Sequence, residues 1–211
     1  MEIECWLISQ SFIVLFRLKA RDYRNVPGDR ACIFVCNHGS HFDGFFIYAA
    51  INRSDRRPVV PVVWYRLLKF TVVGPILEHL RAIPINNEAA ATASRIQGLR
   101  SMIRHLREGR HIWIQPEGHR CDVLDRFQPG AALISLKTGA PLVPVSLRGV
   151  QPLFKDLDRF PRLWGRVELL FHPPVYPHEA EGDTDEKKAV LLMEKVRDRI
   201  AATLDYPVGA S

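Results

Sequence analysis

A single α/β domain, with a mostly parallel or mixed sheet flanked by helices, is the fold class that the sequence predicts, and three observations carry the prediction. Short apolar runs bounded by turn residues (Ala31 to Cys36, Pro58 to Val63, Ala82 to Ile85, His111 to Gln115, Pro141 to Leu147) alternate with longer stretches whose apolar residues recur at helical spacing. The 211 residues, 47% of them hydrophobic, suffice for one sizeable core, and no linker-like stretch divides them. Two polar clusters each stand where an extended run ends, which is where open α/β sheets gather their ligands.

The elements follow in order. Residues 3–18 (IECWLISQSFIVLFRL) form an apolar stretch interrupted by Glu4 and by Ser9, Gln10 and Ser11, with Arg17, Lys19, Arg21 and Arg24 at its end. It is too interrupted to span a bilayer. It suits a membrane-associating helix lying in the interface, with Trp6 and Phe12 among its apolar side chains and the cations near lipid phosphates. The plainer alternative is that it packs on the domain. No basic residues precede the apolar stretch and no small-residue cleavage site stands out, so it makes a poor secretory signal. The expected division is an interfacial helix over residues 1–20, the main domain over 21–205 and a frayed tail over 206–211.

Within the domain, Pro27 and Gly28 break the chain before the first strand. A helix is expected over Asp43 to Ile51, closed by a polar loop from Asn52 to Arg57. Trp64 to Leu80 reads as a helix, a break at Gly74 and Pro75, and a second short helix. Glu88 to Glu108 carries Ile96, Leu99, Met102, Ile103 and Leu106 at helical spacing, and Gly109 closes it. Ala131 to Lys137 is a further helix ended by Gly139, and Pro144 argues for an edge or irregular place for the strand around it. A strand over Val167 to Phe171, an extended segment to Pro177 and an amphipathic helix from Glu186 to Leu204 complete the chain.

The net charge of +6 suits an anionic partner: nucleic acid, an acidic carrier protein or an anionic membrane surface. Arg95, Arg100, Arg104 and Arg107 share one helix, but no aromatic stacking platform interleaves them, so no nucleic-acid partner is expected. Cys5, Cys32, Cys36 and Cys121 match neither paired metal spacing nor a disulfide framework, and reduced, buried thiols are expected.

The first polar cluster is NHGSHFDG, residues 37–44. Histidine is the side chain suited to take a proton at physiological pH, and Asp43 can accept from the far ring nitrogen of His38 and fix its tautomer: a base and its orienter. An i, i+5 pair lies on different faces of a regular helix, so the two meet only if the chain turns, as Gly39 allows. A helix-capping histidine beside a plain N-cap aspartate is the alternative. The second cluster, Pro116 to Arg120, ends another strand; Glu117 and Arg120 offer opposite charges and Gly118 permits close backbone approach. Taken alone it also reads as a surface turn with a local ion pair. His38, His41 and His119 lack a carboxylate or cysteine at ligand spacing, so no metal site is expected.

Together these residues resemble the PlsC-like glycerolipid acyltransferases over roughly residues 15–175. The family's NHxSxxD motif is met by Asn37, His38, Ser40 and Asp43. Its PEGTR motif is met by Pro116, Glu117, Gly118 and Arg120, with His119 in place of threonine, and its xPxVPV strand by Pro141 to Val145. The resemblance implies transfer of a fatty acyl group from an acyl carrier protein or coenzyme A thioester to a lysolipid hydroxyl, without a further cofactor, at the cytoplasmic face of a membrane. It implies His38 as general base and Asp43 as its orienter, with Asn37, Ser40, Asn87, Glu117, Gly118, His119 and Arg120 at the substrate. The oxyanion donors are expected among backbone N–H groups of either turn. The leading acceptor is 1-acyl-sn-glycerol-3-phosphate, giving phosphatidic acid.

Two departures bear on the acceptor. Asn87 stands where the family's second motif ends in arginine, and Gln128 where a lysine is common. Each lost cation removes a phosphate contact worth on the order of 1.5 to 3 kcal/mol. Arg120 remains, and Arg81 or Arg95 is available nearby. Lyso-ornithine lipid, a catalytically silent lipid-binding scaffold and a thioesterase-like hydrolase are the competing readings.

Overall fold

The computed structural model describes residues 10–54, 57–71, 73–86, 92–120, 122–153, 160, 162–205 and 207–209. Seven strands run through it: β1 (Lys19–Arg21), β2 (Ile33–Cys36), β3 (Val59–Trp64), β4 (Ile83–Ile85), β5 (His111–Ile114), β6 (Leu142–Arg148) and β7 (Glu168–Phe171). They form one sheet in the order β1-β7-β6-β2-β5-β3-β4, parallel throughout except where β6 and β7 pair antiparallel. The helices are α1 (Asp43–Ser54), α2 (Val73–His79), α3 (Thr92–Arg107), α4 (Gly130–Thr138) and α5 (Asp185–Ala201).

The central strands are apolar on both faces because helices cover both. Successive side chains of β2 alternate between two cores. Ile33 and Val35 join Met102 of α3, Ile134 of α4 and Leu192 of α5 on one face. Cys32, Phe34 and Cys36 join Phe46 and Ile47 of α1, with Phe16, on the other. Both Cys32 and Cys36 are buried thiols outside any disulfide, and burial pushes the Cys36 thiol well up, with the charge of Asp43 adding to it. Cys5 and Cys121 lie outside the described residues.

Several boundaries differ from those expected. The interfacial helix was expected over residues 1–20; residues 1–9 lie outside the described part, 10–15 are helical, and Lys19–Arg21 is a strand. The helical part packs on the domain: Phe12 stacks on Phe45 with centroids 4.8 Å apart and meets Phe42 and Phe46 edge-on. Among the described residues, no helix is long and apolar enough to cross a membrane.

Gly74 and Pro75 do not break a helix but lie in the first turn of α2, where a proline N–H is not needed. Helix α1 runs on to Ser54, past the expected stop at Asn52. Pro144 sits in a central strand, opposite Val35 of β2. Its carbonyl accepts from His172 N–H, just past β7, where the ladder is ending and a missing donor costs little. Residues 207–209, expected in the frayed tail, are tied to Leu124 by two backbone hydrogen bonds, and Gly209 O accepts from Arg197 Nη2.

Candidate active site

Strands β2 and β5 are parallel neighbours, so the segments leaving their carboxyl ends emerge side by side. The first, residues 37–42, joins β2 to α1. Asn37 anchors it: its side-chain Nδ2 donates to Leu147 O at 3.0 Å and its Oδ1 accepts from Leu147 N at 2.7 Å, extending the β2–β6 ladder by an amide side chain. The chain then folds back so that Asp43, the first residue of α1, meets His38. Asp43 Oδ2 accepts from His38 Nδ1 at 2.8 Å, Gly39 N at 2.9 Å and Ser40 N at 3.1 Å. The expected meeting of His38 and Asp43 is therefore present in the geometry. Asp43 is 1% exposed, whereas the His38 side chain keeps 18% of its surface.

The acceptor on Nδ1 fixes the tautomer. A carboxylate oxygen cannot donate, so Nδ1 carries the proton and Nε2 keeps its lone pair. Gln115, the first residue beyond β5, completes the arrangement: its Nε2 donates to Asp43 Oδ2 at 3.2 Å and to Asn37 O at 3.2 Å. The same nitrogen lies 3.0 Å from His38 Nδ1, a close contact rather than a bond, since both of its hydrogens are already directed elsewhere. Sequence reasoning missed Gln115. Its signal was a polar residue closing an otherwise apolar run beside the second cluster.

Glu117 joins the two turns. Its Oε2 accepts from His38 N at 2.7 Å and its Oε1 from Asp125 N at 3.2 Å. It is 4% exposed, and burial pushes its carboxyl up to about 7; the two N–H donors oppose the rise, while the charges of Asp43 and Asp125 add to it. Gly118 adopts φ +76°, the left-handed turn that favours glycine. His119 is exposed, with Nδ1 2.9 Å from Glu117 O and Nε2 3.5 Å from Asp125 Oδ2, so it behaves as a local hydrogen-bonding residue. Arg120 is half-buried at the same edge.

The geometry turns several of the expected substrate residues inward. Asn37, Ser40 and Glu117 point inward: Asn37 holds Leu147, the Ser40 hydroxyl accepts from Phe42 N at 3.3 Å, and both Glu117 oxygens hold backbone N–H groups. The N–H groups of His38, Gly39 and Ser40 are likewise all engaged, so none of the three is left for an oxyanion. Gly39 keeps a negative φ; its lack of a side chain matters because a Cβ there would come within 3.1 Å of Gln151 and 3.2 Å of Val150.

Arg81 precedes β4 and lines a basic cavity with Arg104, His105 and Arg110 at the amino ends of β4 and β5, the opposite end of the sheet from His38. Arg95, in the first turn of α3, lies at the carboxyl end. Asn87 is outside the described residues. Among the described residues, no group of three His, Cys, Asp or Glu side chains comes together as a metal site.

The solved structure of a 1-acyl-sn-glycerophosphate acyltransferase, PlsC, from Thermotoga maritima superposes with a TM-score of 0.71 at 25% identity, over 94% of this chain and 78% of that one. The chain is 24% identical over 200 residues to a chloroplastic 1-acyl-sn-glycerol-3-phosphate acyltransferase of Brassica napus, covering 93% of this chain and 54% of the relative. It is 22% identical over 192 residues to the 1-acyl-sn-glycerol-3-phosphate acyltransferase of Bacillus subtilis, covering 87% of this chain and 86% of that one. The chain thus spans about half the length of the plant relatives. The family model described as Acyltransferase matches residues 17–148, a stretch that holds both polar turns and more than half of the sequence. The chain belongs to the acyltransferase family.

Proposed function

We propose that the chain transfers a fatty acyl group from a thioester to a hydroxyl of a lysolipid, with 1-acyl-sn-glycerol-3-phosphate as the leading acceptor. One observation carries the reading. His38 Nδ1 lies 2.8 Å from a buried Asp43 carboxylate, which leaves Nε2 as an acceptor that makes no hydrogen bond among the described residues. In the reaction, Nε2 takes the proton of the acceptor hydroxyl as its oxygen attacks the thioester carbonyl. Asp43 stabilises the imidazolium that forms. The tetrahedral intermediate then collapses, the carbon–sulfur bond breaks, and the proton passes from His38 to the departing thiolate. No acyl-enzyme and no cofactor enters.

A positioned base of this kind contributes roughly 100- to 10,000-fold, and holding donor and acceptor together contributes most of the remainder. With the N–H groups of the first turn engaged, the oxyanion falls to the 116–120 turn. Arg120 and Arg95 are the cations at the right end of the sheet for a phosphate. Strand β4, which leads to Asn87, lies two strands from β5, about 10 Å away. That distance is within reach of a glycerophosphate head group.

Asn87 and Gln128 favour a second reading, an acceptor without a phosphate monoester such as lyso-ornithine lipid, and the placing of Arg81 at the far end of the sheet adds to it. The donor is acyl carrier protein or acyl coenzyme A, and the enzyme works as a peripheral or monotopic protein at the cytoplasmic face of a membrane. The test is a mass-spectrometric survey of products from the purified chain, an acyl thioester and a panel of lysolipids. Phosphatidic acid as main product supports the leading acceptor, and an acylated ornithine lipid supports the second. Free fatty acid alone points to a hydrolase, and no turnover with either donor points to a silent lipid-binding protein.

A further inference from the structure

We infer that the loop entering β7 and the outer edge of the 10–15 helix form one bilayer-docking rim beside the mouth of the catalytic site, and that its occupant is an anionic phospholipid surface. The inference rests on the reading of the site as one that serves a lipid acceptor, and it adds a second contact, far from the N-terminus in sequence.

Topology places the rim. Because β7 runs antiparallel to β6, its first residue, Glu168, lies opposite Arg148 at the carboxyl end of β6. Strand β1 starts level with it, Lys19 beside Glu168. The segments leading into β1 and β7 therefore emerge at the edge where β2 and β5 deliver the two polar turns. Contacts bind them together. Val167 N donates to Phe16 O and Lys19 N to Val167 O, both at 3.0 Å. Gly165 sits against Phe16 and Leu153, Arg162 N donates to Leu153 O, and Val150 and Gln151 of the same stretch flank Gly39.

The chemistry of the rim selects its occupant. Leu163 and Trp164 are exposed, Trp164 to 71%, and Val14 and Leu15 are exposed on the neighbouring helix. A rim with this much outward apolar surface marks a docking face. Between these side chains stand Arg17, Lys19, Arg162 and Arg166, all exposed and none in an ion pair with any described residue. Apolar and indole side chains interleaved with cations match the layering of a membrane interface, acyl boundary beneath and phosphates above. An acidic carrier protein would also meet the cations, and transfer from an acyl carrier protein donor separates it from the bilayer.

Sedimentation of the full chain with phosphatidylcholine vesicles, with and without phosphatidylglycerol, tests the rim. Arg162→Glu with Arg166→Glu is expected to lower partitioning onto phosphatidylglycerol vesicles by roughly 30-fold or more. Leu163→Ala with Trp164→Ala is expected to lower it on both vesicle types. Acyl transfer to a short-chain, monomeric lysolipid reports folding and should be retained in both variants. Vesicle binding equal to that of the unsubstituted chain in both variants overturns the rim. Unchanged vesicle binding with lost transfer from an acyl carrier protein donor also overturns it, and assigns the surface to the carrier. Vesicle binding that depends on these residues in a chain without transferase activity supports the rim and sinks only the acyltransferase reading.

Discussion

The turn after β2 and the turn after β5 occupy equivalent places, each leaving the carboxyl end of a parallel strand, yet they are built in opposite ways. The first is sealed: Asn37 and Ser40 are fully buried, Asp43 nearly so, and the polar groups from Asn37 to Ser40 are held by Leu147, Asp43, Gln115 and Glu117. The second is open beyond Glu117, with Gly118 and His119 at the surface. A base must be held to a fraction of an ångström, whereas a head-group site must admit and release a substrate. Under the proposed function the contrast suits chemistry at the first turn and recognition at the second, with Glu117 as the tie between them.

The sharpest way to break that contrast is Asp43→Ala. It removes the acceptor of four donors in a buried turn, so kcat should fall by on the order of 100- to 10,000-fold and stability by on the order of 3 kcal/mol. Steady-state kinetics beside urea denaturation would separate the two effects. A variant with unimpaired kcat would remove the first turn from the chemistry.

Glu117 gives the next largest effect, through pH. Its carboxyl titrates near 7 in the folded chain against an ordinary value of 4.5. Between those values the native chain holds a proton that the unfolded chain has released, so the contribution of Glu117 to stability is greatest below about 4.5 and is lost as pH rises through 7. The full loss is on the order of 3 kcal/mol. Glu117→Gln should flatten this dependence when denaturation midpoints are compared at several pH values from acid to mildly alkaline; a slope equal to the unsubstituted chain's would place the titration elsewhere.

Gly44→Ala probes the packing beneath the first turn. A Cβ there would lie 2.8 Å from the Trp113 ring, so the ring must move, at a cost of about 1 to 3 kcal/mol and with kcat affected more than KM. Equal stability would mean that the ring shifts freely. The smallest effect is expected of His119→Thr, which restores the family's residue on the open turn. It should change acceptor KM by only a few-fold with kcat retained, and a large loss of kcat would give His119 a part in proton transfer.

Much of this was legible in the sequence because the physics was local. The run Ala31 to Cys36 had to be a buried strand, and the five-residue step from His38 to Asp43 announced a turn that pairs them. What escaped depends on distant partners. Lys19–Arg21 is charged and exposed, without strand patterning, and is a strand only because β7 offers it an edge. Pro144 broke the expectation of an edge position because its missing donor falls where β7 ends. For Asn37 and Glu117 the sequence told that polar groups stand at strand ends, but not that their partners are backbone groups 110 and 79 residues away. Gln115 was hidden for the same reason, since its value lies in reaching back to Asn37 and Asp43.

The most direct test of the account is His38→Ala, assayed for acyl transfer from a thioester to a lysolipid beside the unsubstituted chain, with circular dichroism and thermal unfolding as controls. His38 touches the fold through its backbone N–H, the ring hydrogen bond to Asp43 and the close contact with Gln115, so the variant should remain folded while transfer falls by about 100-fold or more. A folded His38→Ala variant that transfers acyl groups within a few-fold of the unsubstituted rate would contradict the assignment of His38 as the base.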